Sequence, residues 1–341
     1  MISCKNCFLK INNIRKETRC ATCNAMLHKD CAIKDGGTFL CDVCFTVKEE
    51  GSVSLQTTNF EMPSIIRRSY IELYKSCPYA FYLSVIKKEN TISSSFAQIG
   101  IDLHELFHLA STREIKNIED MMVVFKNCWN QYQDSLFEQD LNLYKNMSIN
   151  DLRNKLYNQS LKAIEQFFNI LKTLPKQPFC LEKNIKFCIG EELPKVSITM
   201  DRIDEINEEL HIIDWKTGTV MVGRKISSDL QAPLYIKAVQ TFYKKPIKNF
   251  TFHYLVENKK RVFERVDDEN YMCCVNKREY FINLTDSIRE VQHIFSQIKN
   301  GNFNIPKNAK KMYFTCKTCH FNRCNMCSGA DIESWTQYNK K

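Results

Sequence analysis

The 341-residue sequence contains no apolar run approaching the roughly 18 residues that cross a bilayer, and it opens on Cys4 and Cys7 where an export signal would place a basic and then a greasy segment. These absences predict a chain without a membrane partner, not secreted, working in a reducing compartment such as cytoplasm or nucleus. No internal repeat and no low-complexity tract is found. The hydrophobic share of 44% beside 26% charged residues argues against disorder and supplies ample material for a buried core. The length suits a compact module plus a larger domain.

What the chain does have is 17 cysteines, an odd count that points to metal ligation before disulfides where no export signal is present. Seven fall before residue 45 and four lie between Cys316 and Cys327, which predicts two separate metal sites. The formal charge of +9 attracts polyanions, although a solvated surface alone accounts for such a value.

Residues 1–48 form the cysteine-rich module and 49–60, with Glu49 to Ser54, a polar connector. A domain follows over 61–330, and 331–341 form a tail. From Ser69, a candidate helix cap with Glu72 as its capping-box partner, the pattern is helical. Leu103, Leu106, Phe107 and Ala110 keep one buried face, and Met121 to Phe137 and Leu152 to Leu171 look similar. After Pro178 the texture turns to short β runs, Ile185 to Ile189, Val196 to Ile203 and Leu210 to Trp215. A helix over Leu230 to Phe242, a strand pair around Asn258 and a final helix over Asn283 to Lys299 complete the pattern. The expected class is α/β, a mixed sheet flanked by helices with a helical insertion.

Cys4, Cys7, Cys20, Cys23, His28, Cys31, Cys41 and Cys44 are eight zinc-ligand types, most in pairs that a tight turn presents to one tetrahedral ion. The order resembles the cross-braced plant homeodomain finger. That resemblance implies two zinc ions, one held by Cys4, Cys7, His28 and Cys31 and the other by Cys20, Cys23, Cys41 and Cys44. A helicase or other protein partner is the expected use of such a docking module.

The densest chemistry lies between Lys195 and Gly218. Asp214 and Lys216 are two apart on a β run and so share a face. A two-residue turn at Asn207 and Glu208 pairs Asp201 with Asp214, at the roughly 4.5–5.5 Å Cα spacing of opposed residues. Two carboxylates at that separation repel one another or share a divalent cation. By spacing alone, two solvated aspartates balanced by Lys216 fit equally well.

The remaining motifs arrive in an order that resembles the PD-(D/E)XK nucleases of the RecB and AddB type, including their iron–sulfur members. They are Cys77-Pro78 with Tyr79, Phe81 and Tyr82; Gly100 to Glu105; Glu182; Asp201; Asp214-Trp215-Lys216-Thr217-Gly218; Gln231 with Tyr235; and the closing cysteines. The resemblance runs from Ser69 to about Cys327 and departs at Ile198, where relatives commonly have glycine. It implies a restriction-endonuclease-like fold in which His104, Asp201, Asp214 and the Trp215 carbonyl hold Mg²⁺ or Mn²⁺. Lys216 would polarise the attacking water, and Gln231 and Tyr235 would place the lysine or the strand. The implied activity is a metal-dependent deoxyribonuclease acting on single-stranded DNA or single-stranded ends, in repair, recombination or replication processing.

Two other readings stay open. His104, Glu105 and His108 spell H-E-x-x-H, the zinc metalloprotease pattern, which leaves the Asp214 and Lys216 strand unexplained. The chain could also be an idle nucleic-acid or chromatin binder, against which the intact Asp201, Asp214 and Lys216 set counts. Cys316, Cys319, Cys324 and Cys327 either bind zinc alone or contribute Cys316, Cys319 and Cys324, with Cys327 as alternative, to a [4Fe–4S] cluster with Cys77, as the resemblance implies. Relatives space the last three cysteines one residue wider than this chain does.

Elemental analysis of protein purified without oxygen is expected to return two zinc ions per chain plus iron and sulfide, the iron being lost in Cys77→Ser. Colourless protein whose metal content survives Cys77→Ser would place zinc on the closing four cysteines instead.

Overall fold

The computed structural model describes residues 17–19, 21, 26–28, 32–35, 37–40, 60–89, 94–138, 140–141, 147–304, 319 and 321. Cys4, Cys7, Cys20, Cys23, Cys31, Cys41, Cys44, Cys316, Cys324, Cys327 and the tail lie outside them, as does the His28 side chain. In the N-terminal segment β1 (Glu17–Arg19) pairs antiparallel with β2 (Met26–His28), and β3 (Ile33–Asp35) with β4 (Thr38–Leu40). The Ala21 N–H donates to Phe39 O at 2.8 Å and joins the two hairpins.

The larger domain opens with β5 (Ile65–Arg67), α1 (Arg68–Ser76), α2 (Pro78–Phe81) and one π turn over Tyr82–Ile86. Four helices follow: α3 (Ser95–Ser111), α4 (Ile118–Gln131), α5 (Asp134–Glu138) and α6 (Ile149–Leu171). Ser94 caps α3 by accepting from the Ala97 N–H, and Ser148 with Asp151 forms a reciprocal capping box on α6. Then come β6 (Cys180–Phe187), β7 (Lys195–Ile206), β8 (Glu209–Lys216), α7 (Lys225–Ser228), α8 (Gln231–Tyr243) and β9 (Ile247–Tyr254). The strands β10 (Lys259–Arg265), β11 (Asn270–Val275) and β12 (Arg278–Asn283) precede α9 (Leu284–Lys299).

These strands make one mixed sheet in the order β12, β11, β10, β9, β8, β7, β5, with β6 on the other edge of β7. The β5–β7 and β8–β9 pairs are parallel and the rest antiparallel. Strand alternation sends neighbouring residues of β8 into different cores. Ile212 joins the core beneath α1, α8 and α9, whereas Ile213 and Trp215 join the core built by α3 to α6. The sheet is thus covered by helices on both faces. Segments more than 200 residues apart meet at an aromatic group, where Phe60, Phe81 and Tyr82 surround Phe303 at ring-centroid distances of 5.2, 6.3 and 4.9 Å. Beside it Tyr74 Oη donates to Asn302 O.

Ser69 is not a cap. The parallel pairing of β5 with β7 holds the chain extended through Arg67, so α1 begins at Arg68 without a side-chain cap. Glu72 instead accepts from the Leu230 N–H at 3.1 Å. The expected β run at 185–189 begins five residues earlier, at Cys180. The hairpin of β11 and β12 was not expected; its turn, Asn276 and Lys277, adopts φ of 50° and 63° without a glycine to mark it.

On β7 Arg202 and Asp204 form an ion pair with both side chains 1% exposed, joined by bonds of 3.0 and 2.9 Å from Nε, and the guanidinium also donates to Pro175 O at 2.6 Å. Asp204→Ala leaves a buried guanidinium without its counter-charge and is expected to cost about 3–5 kcal/mol in urea denaturation. Replacing both, by Arg202→Met with Asp204→Leu, is expected to recover most of that loss; equal losses would refute the explanation.

Candidate metal centre

The site forms where β8 leaves β7. From the turn at Asn207 and Glu208, with φ of 52° and 65°, the two strands pair from Ile206↔Glu209 to Arg202↔Ile213 and then part. Further along the same edge of β7, β5 pairs at residues 195–197. Asp201 therefore stands in a fork. The register would bring it opposite Asp214, but no backbone pair forms there, and Asp201 Oδ2 accepts from the Trp215 N–H at 2.7 Å in its place. Within a strand the N–H and C=O of one residue point to the same side, so the Trp215 carbonyl also faces the fork.

On the other edge of β7 the β6 ladder pairs Leu181↔Arg202 and Lys183↔Met200 and skips the position between them. That position is Glu182, opposite Asp201 and held at φ 44°. A left-handed backbone costs a non-glycine residue on the order of 1 kcal/mol. Here it turns a carboxylate toward the fork. His104, from the middle of α3, brings its Nδ1 to 3.3 Å from Asp201 Oδ1. One ligand atom each from His104, Glu182 and Asp201 lie within 4.8 Å of one another.

Asp214 stands beside this group, not in it. Its Oδ1 accepts from Gln231 Nε2, and its Oδ2 lies 2.6 Å from Lys216 Nζ. That ion pair is the contact the structure gives Oδ2, which is otherwise buried. Lys216 Nζ donates to Gln231 Oε1 at 2.9 Å and sits 5.2 Å from the centre of the Phe252 ring. Gln231, at the start of α8, thus holds both groups through its two amide atoms. Tyr235, one turn further on, is buried against Phe250 at 5.7 Å.

Burial, then the charge of Asp201, pushes the Glu182 carboxyl up to about 7. Burial likewise raises Asp214 to about 6, against the pull of Lys216 and with the repulsion of Asp201. Burial alone would depress the His104 imidazole, yet the charge of Asp201 and their hydrogen bond raise it above its ordinary value. All three shifts express one unmet demand for positive charge. With carboxylate oxygens from Glu182 and Asp201, the His104 imidazole nitrogen and the buried Asp214 carboxylate beside them, the donor set fits a hard divalent cation such as Mg²⁺ or Mn²⁺.

Of the residues expected from sequence, His104, Asp201, Asp214, Trp215, Lys216, Gln231 and Tyr235 gather around the fork. Glu182 has no role in the motif order by itself, and only the start of β6 at Cys180 makes it the partner of Asp201. His108 Nδ1 is buried without a hydrogen bond and does not belong to the ligand group; Glu105 is exposed. Among the described residues no zinc site of the metalloprotease kind is assembled. Cys77 caps α2, its Sγ accepting from the Ala80 N–H at 3.4 Å, and lies in the core against which Cys319 packs.

Compared with protein-family models, the chain matches that of the PD-(D/E)XK nuclease superfamily over residues 68–325. No curated protein matches it.

The raised Glu182 sets a pH signature. Its carboxyl titrates near 7 in the fold against about 4.3 in an unfolded chain, so the folded protein binds the extra proton in that window. The cost of its charge is full above pH 7 and vanishes below the unfolded value. In chelator, Glu182→Gln is expected to melt above wild type at about pH 8 and to lose that advantage by about pH 4. The same advantage at both pH values would sink the electrostatic account.

Proposed function

The chain belongs to the PD-(D/E)XK nuclease superfamily, and from that premise we propose that it is a Mg²⁺- or Mn²⁺-dependent deoxyribonuclease acting on single-stranded DNA or single-stranded ends, in repair, recombination or replication processing. The observation that carries the reading is the convergence of Asp201, Glu182 and His104 at the fork beside the Asp214, Gln231 and Lys216 network. A bound divalent cation supplies Lewis-acid polarisation of the phosphate and a water acidic enough to attack it. Asp201, His104, Asp214 and the Trp215 carbonyl are the residues to hold that ion, with Glu182 completing the acidic wall.

Lys216 is placed to orient the attacking water and to offset negative charge as the phosphorus becomes five-coordinate. Gln231 keeps the Lys216 ammonium at the mouth of the fork and fixes the Asp214 carboxylate, and Tyr235 backs the same helix turn. Support for unpaired strands comes from Phe96 and Ile101, 36% and 60% exposed, which line one groove with His104 and Glu182. Apolar surface beside a phosphate-cleaving site suits bases that are free of a partner strand. An idle binding protein has no need of a lysine and a glutamine locked onto a buried carboxylate. The zinc module and the iron–sulfur cluster belong to the same proposal; burial of Cys77 in the core where Cys319 packs supports the latter.

Asp214→Ala, Asp201→Ala and Lys216→Ala are each expected to lower cleavage of a single-stranded oligonucleotide in Mg²⁺ by at least about 100-fold, with each variant still folded by circular dichroism. Glu105→Gln is expected to retain activity. Full cleavage by folded Asp214→Ala, or selective loss with Glu105→Gln, would overturn the assignment.

A further inference from the structure

Beyond the fork, where the C-terminal ends of α3 and α6 come together, lies a second concavity of about 550 Å³. Arg113, Lys116, Lys172 and Lys176 line it above an apolar floor that includes Phe168 and Leu171, and no carboxylate does. All four cations are exposed, and among the described residues none is in an ion pair. Arg113 makes one long bond, 3.4 Å, to the Lys176 carbonyl. Some lysines and arginines of this domain pair with acids, as Lys245 does with Glu205, Arg265 with Glu209 and Lys75 with Glu290; here four cations that the described residues leave unpaired line one hollow. Four like charges around one hollow repel one another, and a polyanion relieves that repulsion.

Two residues tie the cleft to the metal group. Ser111 lines it and lies seven residues after His104 on α3, hence on the same helical face and about 10 Å along the axis at roughly 1.5 Å per residue. Arg202 lines it as well and directly follows Asp201 on β7, its side chain leaving the opposite face of that strand. The cleft therefore lies a short way along α3 from the fork, in the helical layer that also carries His104. Phosphates along a nucleic-acid strand recur at about 3.4 Å in duplex geometry and further apart when extended, so this offset spans up to about three of them.

We infer that the cleft binds the phosphate backbone of the strand being cut, its four cations gripping phosphates up to three nucleotides from the scissile one while sugars and base edges lie on the apolar floor. This rests on the nuclease reading and adds to it a subsite that holds the strand without reading its sequence. The cleft sits outside the ligand group, so its cations act on strand binding and not on bond breaking.

The test uses the full chain carrying Asp214→Asn, so that a 20-nucleotide single strand stays intact, with affinity read by fluorescence anisotropy across a KCl series. Each phosphate contact on a single strand contributes about 0.7 to the slope of log affinity against log salt. Arg113→Gln, Lys116→Gln, Lys172→Gln and Lys176→Gln together are expected to reduce that slope by about 3. The same charge removed at Lys244, Lys260, Lys277 and Arg278 is expected to change it by less than about 1. If the fourfold variant fails to fold, Lys116→Gln with Lys172→Gln is expected to lose about 1.4. An unchanged slope, or equal losses from both sets, overturns the inference, as does loss of binding to an acidic peptide with DNA affinity intact. Wild type that binds the strand but never cuts it refutes the nuclease reading instead, and the two failures stay distinct.

Discussion

Three carboxylates, from Glu182, Asp201 and Asp214, share the space where β8 separates from β7, and the ammonium of Lys216 is held against one of them. Burial, with the repulsion of neighbouring like charges behind it, raises the affinity of Glu182 and Asp214 for protons, to about 7 and about 6. A fold can relieve such crowding by moving the acids apart or by holding a cation between them. This one does not move them apart: it turns the backbone of Glu182 left-handed and breaks a strand ladder at Asp201, and both distortions keep the oxygens together. Departures from regular geometry that a chain maintains at a local cost are commonest where binding or catalysis needs them.

Keeping repelling groups in place requires stiff support. Alternation along β8 provides it, because Asp214 and Lys216 project from one face while Trp215 projects from the other into the helical core, where Phe167 meets its ring edge-on at 5.1 Å. The indole anchors the strand that carries the acid and the base. Gln231 and His104 come from helices on opposite faces of the sheet, α8 and α3, so both cores must be packed for the constellation to close. Sites supported in this way depend on residues that never approach the reacting atoms.

Much of this was legible in the chain because the decisive information was local. The turn at Asn207 and Glu208 sets the register of the central hairpin by counting, and the apolar spacing of α3 puts His104 on a defined face. Glu182 escaped because its role depends on pairing across an edge of β7 whose partner strand begins with Cys180, Leu181 and the glutamate itself, residues without a clear alternation of polar and apolar character. β5, only three residues long, exists through its parallel partner and has no local signature. Its pairing also displaced the expected cap at Ser69. Features created by contacts between distant parts of a chain leave little trace in any one segment.

The aromatic closure around Phe303 gives the domain a direction in time. A ribosome releases the chain from its N-terminal side, and domains complete themselves only when their last contributing segment has emerged. Phe60, Tyr74, Phe81 and Tyr82 emerge early, yet the residues that seal them, Asn302 and Phe303, come more than 200 positions later. Until then α1 lacks its far wall. Since Glu72 of α1 holds the amide at the entry to α8, and α8 holds Gln231, these late-emerging residues help settle the first turn of the helix that steadies Lys216. Synthesis itself thus delays the finished metal-ligand group until the segment around Phe303 has emerged.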